Sequence, residues 1–291
     1  MMVLATAVIS GFSIFINSYG VRGFDSSVFT FSKNIVVAIG LLALLVGIGQ
    51  WKELKALTRK QWQQLFVIGI IGGSIPFLLF FRGLQMASGA TASFIHKTLF
   101  IYAVLGAIIF LREKLSKVAI VGAGLLLAGN YVALMPRMAF SFGHLLIFIA
   151  VLFWAAENVY AKHVLKELSG TVVGFGRMFF GSLIMLLFLV ATDKASLVWG
   201  MSAAQYGWIG VTSLLLLGYV FTYYNGLKEL KVSTATAVLA IGSVITTLLD
   251  VAFKGAAVSL PQAGAMVLVL VGAGAMALYS SPKRASKEQT A

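Results

Sequence analysis

The sequence predicts an all-α membrane protein, with ten transmembrane helices arranged as two inverted five-helix repeats. Three observations lead there: an apolar composition, ten apolar runs of membrane-spanning length, and a self-similarity at an offset of about half the chain. Of 291 residues, 60% are hydrophobic and only 11% charged, and the mean hydropathy is +0.97. Soluble domains carry roughly a quarter charged residues, so this composition makes the bilayer the main solvent. The chain has no cysteine, which excludes disulfides and thiolate chemistry. His96, His144 and His163 are scattered without metal-ligand spacing, and neither a metal nor a cofactor is expected. The net charge is +13, yet the basic residues fall between apolar runs and form no stripe interleaved with aromatics. No nucleic-acid partner is expected.

A helix needs about 20 mainly apolar residues to cross about 30 Å of hydrocarbon. The first run, residues 3–19, has no charged leader and no small-residue cleavage site, so it reads as a span and not a signal peptide. Residues 28–49 form the second span. The third, residues 62–82, contains Pro76, which should kink it. It also contains Gly69 and Gly73, a GxxxG pair that lets another backbone approach closely. Residues 88–111 and 118–135 complete the first five. The second five are residues 143–162, 171–191, 205–225, 232–253 and 262–279. Gly124 with Ala128 and Ala273 with Ala277 are further small pairs, expected to pack within the bundle. The runs are continuous and do not alternate, which argues against a β-barrel. The 22 phenylalanines read as core and lipid-facing bulk.

Charge between the spans orients them. Alternate connectors carry Lys52, Lys55, Arg59 and Lys60, then Arg112, Lys114 and Lys117, then Lys162 and Lys166, then Lys228 and Lys231. With Lys283, Arg284 and Lys287 of the tail they total 14 basic residues. The intervening connectors carry Arg22, Arg82, Arg137, Lys194 and Lys254, a total of five. Cytoplasmic loops collect Lys and Arg, so both termini are expected in the cytoplasm of a cell (inner or plasma) membrane. Residues 282–291 read as a disordered cytoplasmic tail.

Sliding the chain by 143 residues superposes Gly83-Leu84 on Gly226-Leu227, Thr91-Ala92 on Thr234-Ala235, Phe110 on Phe253, Ser116 on Ser259 and Gly129 on Gly272. Neighbouring offsets pair Phe31 and Lys33 with Phe175 and Arg177, and Phe12, Asn17 and Tyr19 with Phe153, Asn158 and Tyr160. The expected division is therefore 1–137 and 138–281, five spans each. Five is odd, so the second half enters from the opposite side and the halves are inverted. Inverted repeats place a binding site between them near the midplane, with rocking about it for alternating access.

The same residues resemble a known family. Phe81-Arg82-Gly83-Leu84-Gln85-Met86-Ala87, Thr91-Ala92-Ser93-Phe94-Ile95-His96-Lys97 and Ile109-Phe110-Leu111-Arg112-Glu113-Lys114-Leu115 look like the third-to-fourth helix passage and glutamate-bearing turn of the drug/metabolite transporter superfamily, EamA-like family. The resemblance covers nearly the whole chain. It implies transport of small organic molecules such as amino acids or related metabolites, often export. Ala256 stands where Glu113 would recur, so that glutamate is not required twice, and Arg112-Glu113-Lys114 reads as a topological anchor.

Ionisable groups inside spans are costly and mark candidate sites. Lys97, far from both ends of its span, is the first candidate for binding an anionic group or exchanging a proton. His96 could relay protons, although adjacent helical residues point about 100° apart. Glu157 and Arg177 lie at matched depth and could pair, with Trp154, Asn158 and Tyr160 beside them. Lys33, Arg82 and Asp250 are candidates near the outer face; Lys33 could snorkel outward and Asp250 could pair with Lys254 four residues on. No nucleotide-binding motif and no catalytic constellation is present, so no enzyme is expected. A channel or facilitative pore is the main alternative, and an intramembrane enzyme a weaker one. The expected partners are a small-molecule substrate and the bilayer, and the oligomeric state stays open.

Overall fold

In the computed structural model, residues 1–134 and 141–279 are described, and they are helical with no strand among them. Arg137 and the predicted tail, including Lys283, Arg284 and Lys287, lie outside the described residues. The helices in chain order are α1 (Met2–Gly20), α2 (Ser26–Gly47), α3 (Trp51–Lys55), α4 (Arg59–Ile68), α5 (Ile75–Met86), α6 (Gly89–Lys97), α7 (Leu99–Leu111), α8 (Lys117–Leu134), α9 (Phe142–Val164), α10 (Gly170–Ala191), α11 (Ala203–Glu229), α12 (Val232–Leu239), α13 (Ile241–Lys254) and α14 (Leu260–Tyr279). Among the described residues nine helical stretches are long and apolar enough to cross a membrane. The fifth expected span falls on a shorter apolar helix, Lys117–Ala133. Leu4, Ile39, Ile109, Leu187, Leu214 and Phe253 are exposed, as suits helices whose outer solvent is lipid.

Helix starts follow local cap chemistry. The Asp25 carboxylate accepts from the amides of Ser27 and Val28 to open α2. Thr58 with Gln61, Ser141 with His144 and Ser202 with Gln205 form reciprocal capping boxes, each satisfying amides that the first turn cannot pair internally. His144 thus serves as a cap. The short helix α3 lies between the second and third spans, where a plain loop was expected, and Lys55 folds over its Trp51 at 3.9 Å.

Three expected spans are interrupted. The fourth divides into α6 and α7 at Thr98, and the ninth into α12 and α13 at Ala240. The third contains a π-helical segment, Gly69–Ser74, immediately before Pro76. At Pro76, where a kink was expected, the regular α-helix is thus interrupted. The same punctuation recurs along the chain. The capping boxes at Thr58 and Ser202 are 144 positions apart, and the left-handed C-caps at Arg112 and Gly255 are 143 apart. The interruptions at Thr98 and Ala240 are 142 apart.

The packing pairs helices from the two ends of the chain. α1 lies along α11 and α13, α5 along α9, α2 against α10, and α7 against both α9 and α12. α8 runs beside α14, where a Cβ on Gly122 would sit 2.9 Å from the Gly272 carbonyl and one on Gly272 2.7 Å from that of Gly122. Gly124, expected to make such a contact, has open space around it; it lies two positions, about 200°, around the helix from Gly122. Gly69 and Gly73 do pack inside the bundle, against Phe180, Arg177 and Gly181 of α10. Without a hydrophobic drive between helices in lipid, such close contacts and interhelical hydrogen bonds hold the bundle.

Candidate functional site

The π segment starts the site. Pro76 has no N–H, so the Gly72 carbonyl four residues earlier loses its helical donor. Trp154 Nε1 donates to that oxygen at 3.0 Å, and Arg177 Nη2 also at 3.0 Å. Asn34 Nδ2 donates to the neighbouring Gly73 carbonyl at 3.2 Å. Backbone freed in α4–α5 therefore orients side chains from α2, α9 and α10. A π segment at a site of this kind is common.

Around it lies a buried cavity with about 70 Å³ of room for water-sized occupants. One water needs roughly 10–15 Å³ by the same measure, so the space takes several waters or a small solute group. Its wall joins Lys33, His96, Trp154, Glu157, Asn158 and Arg177, all named from the sequence. Trp154, Glu157 and Asn158 share one face of α9 because positions i, i+3 and i+4 do. Tyr160 does not join them. It lies about 240° around the helix from Trp154 and lines a second, apolar pocket with Tyr102, Phe110 and His163.

Within the cavity, the Glu157 carboxylate accepts from Tyr224 and the Asn158 carbonyl oxygen from Tyr223. Asn158 Nδ2 donates to the Trp154 carbonyl at 2.7 Å. Glu157 and Arg177 both press on Gly72, where a Cβ would lie 3.0 Å from Glu157 Cδ and 3.2 Å from Arg177 Nε. They form no ion pair; the ion pairs among the described residues are Lys194–Asp25 and Lys254–Asp250. Arg177 donates to the Gly72 carbonyl and Glu157 accepts from Tyr224 instead.

Lys33 departs furthest from expectation. It is 1% exposed, so it does not snorkel. Its ammonium donates to Asn17 Oδ1 at 3.2 Å and sits 3.7 Å from the Phe81 ring centroid, a favourable cation–π placement. Counting residues put Lys33 nearer one face and Glu157 and Arg177 nearer the other, but all three line the one cavity, and Lys33 Nζ and Arg177 Cζ approach the same Phe77 ring at 5.8 and 5.3 Å. Arg82 is exposed and donates to Gln85 at 3.2 Å. Asp250 pairs with Lys254 at 2.6 Å, as the four-residue spacing predicts, beside a separate pocket shared with Arg22 and Tyr19.

His96 and Lys97 part company. His96 meets the Trp154 ring edge-on at 5.1 Å between centroids. Lys97 turns away, and its ammonium donates to Ser10 Oγ at 2.7 Å. A Cβ on Gly242 would lie 3.1 Å from that ammonium. Ser10 lines the cavity, so Lys97 stands one residue behind the wall, at the end of α6 where the helix breaks.

Sequence reasoning missed Ser10, Ser13 and Asn17 of α1 and Tyr219 and Tyr223 of α11, which also line the cavity. The first three had a readable signal: polar residues spaced i, i+3 and i+7 in an apolar run share one helical face. Phe77, Phe80 and Phe81 show a similar spacing but are indistinguishable from core packing in sequence.

Comparison with known proteins accords with this architecture. An uncharacterized transporter of Clostridium kluyveri is 23% identical over 269 residues, covering 87% of this chain and 83% of that one. Protein LicB of Haemophilus influenzae is 22% identical over 202 residues, 67% of this chain and 68% of that protein. A solved crystal structure superposes with a TM-score of 0.71 at 20% identity, covering 95% of this chain and 98% of the other, which shows that the fold is shared. The EamA-like transporter family matches twice, over residues 1–135 and again over residues 141–278. With a family match to each half and a cavity walled by both, the chain belongs to the EamA-like transporter family.

Proposed function

We propose that this membrane transporter moves small organic molecules, such as amino acids or related metabolites, outward across the cell membrane by alternating access. One observation carries the reading: a single buried cavity is walled by α1, α2, α5 and α6 of the first half and α9, α10 and α11 of the second. Such a site between halves is what a rocking mechanism requires. The recurrence of caps and helix breaks at 142–144 positions supports two five-span units, and an odd span count per unit makes them inverted. α8 is the fifth span in this reading. The basic-residue asymmetry then sets both termini in the cytoplasm.

The test is counterflow of labelled amino acids into sealed proteoliposomes holding the purified protein. Exchange above that of protein-free vesicles supports transport, and no exchange for any small organic solute overturns it. Topology is tested separately, because the chain has no native cysteine. Single cysteines at Lys55 and Lys194 should label from opposite faces, and labelling from one face ends the ten-span arrangement.

A further inference from the structure

We propose that the solute is a small organic monoanion, its carboxylate seated between the Lys33 ammonium and the Arg177 guanidinium. This rests on the transporter reading above and narrows its substrate class. The cavity wall carries two basic groups, Lys33 and Arg177, against one carboxylate, Glu157. Lys97 does not line the cavity; its ammonium is held behind the wall by Ser10 Oγ. Neither Lys33 nor Arg177 has an ion-pair partner among the described residues.

Their hydrogen-bonding capacity is also unspent. An ammonium has three donors and a guanidinium five. Lys33 donates to Asn17 alone at 3.2 Å. Arg177 gives Nη2 to the Gly72 carbonyl, while its Nε, in a side chain only 4% exposed, has no hydrogen-bond partner. A guanidinium edge with a free Nε–H matches the two oxygens of a carboxylate. Both cations approach one ring, Lys33 Nζ at 5.8 Å and Arg177 Cζ at 5.3 Å from the Phe77 centroid. Both line the one cavity, as do Trp154 and Tyr219.

An uncompensated buried charge is strongly unfavourable. A monoanion balances the excess of Lys33 and Arg177 over Glu157. A zwitterion brings no net charge and leaves the excess, a cation worsens it, and a phosphate dianion overshoots.

The experiment measures binding to wild-type protein in lipid nanodiscs, by thermal stabilisation, for probes that share one ring: benzoate, benzyl alcohol, benzylammonium, phenylalanine and phenylphosphate. Benzoate should bind tightest. Lys33→Met and Arg177→Met should each weaken benzoate by about 10- to 100-fold, the loss of one charge-assisted hydrogen bond. Lys55→Met, on the surface helix α3, should change nothing. Any other probe binding as tightly as benzoate, or unchanged benzoate binding in a folded Arg177→Met protein, overturns the proposal. Should a variant fail to fold, the wild-type ranking decides. Flux in proteoliposomes separates the two readings. Benzoate that binds at the cavity without crossing keeps the anion site and defeats the transporter reading. Counterflow of neutral amino acids without benzoate binding does the reverse.

Discussion

Pro76 stands four residues beyond Gly72 and cannot donate to its carbonyl, and that oxygen accepts instead from Trp154 and Arg177, each at 3.0 Å. A helix defect on one element thereby fixes two side chains on others. Pro76→Ala restores the missing N–H and lets the segment return to regular α-helix. The variant should fold with unchanged or higher Tm and lose most transport, at least about 10-fold, since misplaced groups of this kind cost that much or more. Flux together with Tm checks it, and a wild-type rate would free Gly72 of any role in the site.

Lys97→Met keeps most of the stem's bulk and removes the ammonium that Ser10 holds at 2.7 Å. The hypothesis that Lys97 acts in substrate or proton handling predicts a protein that reaches the membrane and loses transport, with Lys97→Arg impaired through its different shape. Ser10→Ala should weaken transport in the same direction. Wild-type flux from well-expressed Lys97→Met protein would leave the residue a packing role alone.

Glu113, read from sequence as part of an anchor, caps a helix of the other half. Its carboxylate accepts from the Val232 amide at 2.7 Å, the Ser233 amide at 3.2 Å and the Ser233 hydroxyl at 2.7 Å, at the start of α12. Glu113→Ala should lower stability by about 1–2 kcal/mol, the usual cost of a lost N-terminal cap, and Glu113→Gln by less because it keeps an acceptor. Thermal unfolding of the two variants measures this; equal Tm for Glu113→Ala and wild type would refute the capping role.

Asp25, in the turn before α2, pairs with Lys194 at 2.7 Å. Burial by itself raises its carboxyl, but the Lys194 ammonium and the amides of Ser27 and Val28 outweigh it and hold the group below its ordinary value. The folded state thus binds the proton less readily than the unfolded chain. The stabilisation is present above the ordinary carboxylate range and is lost as pH falls through the lowered folded value. Because the pair is partly exposed, the effect should be under about 1 kcal/mol. Tm from pH 6 down to about pH 3 should fall more steeply for wild type than for Asp25→Asn, and parallel curves would rule the linkage out.

The sequence by itself determined the features that depend on neighbours along the chain. Apolar run length placed nine expected spans on helices long and apolar enough to cross a membrane and the fifth on a shorter apolar helix, and Pro76 announced a break. Trp154, Glu157, Asn158 and Arg177 were found because a polar group inside an apolar run stands out without any knowledge of its partners. Only the tertiary structure decided which faces meet. It moved Tyr160 to another pocket, drew Lys33 inward across Phe81, brought Glu157 and Arg177 against Gly72 without an ion pair, and brought Glu113 to α12. These outcomes depend on helix rotation and on contacts between residues far apart in the chain, from 48 positions for Lys33 and Phe81 to 119 for Glu113 and Val232, and in lipid apolar pattern alone does not distinguish a face that meets another helix from one that meets hydrocarbon chains.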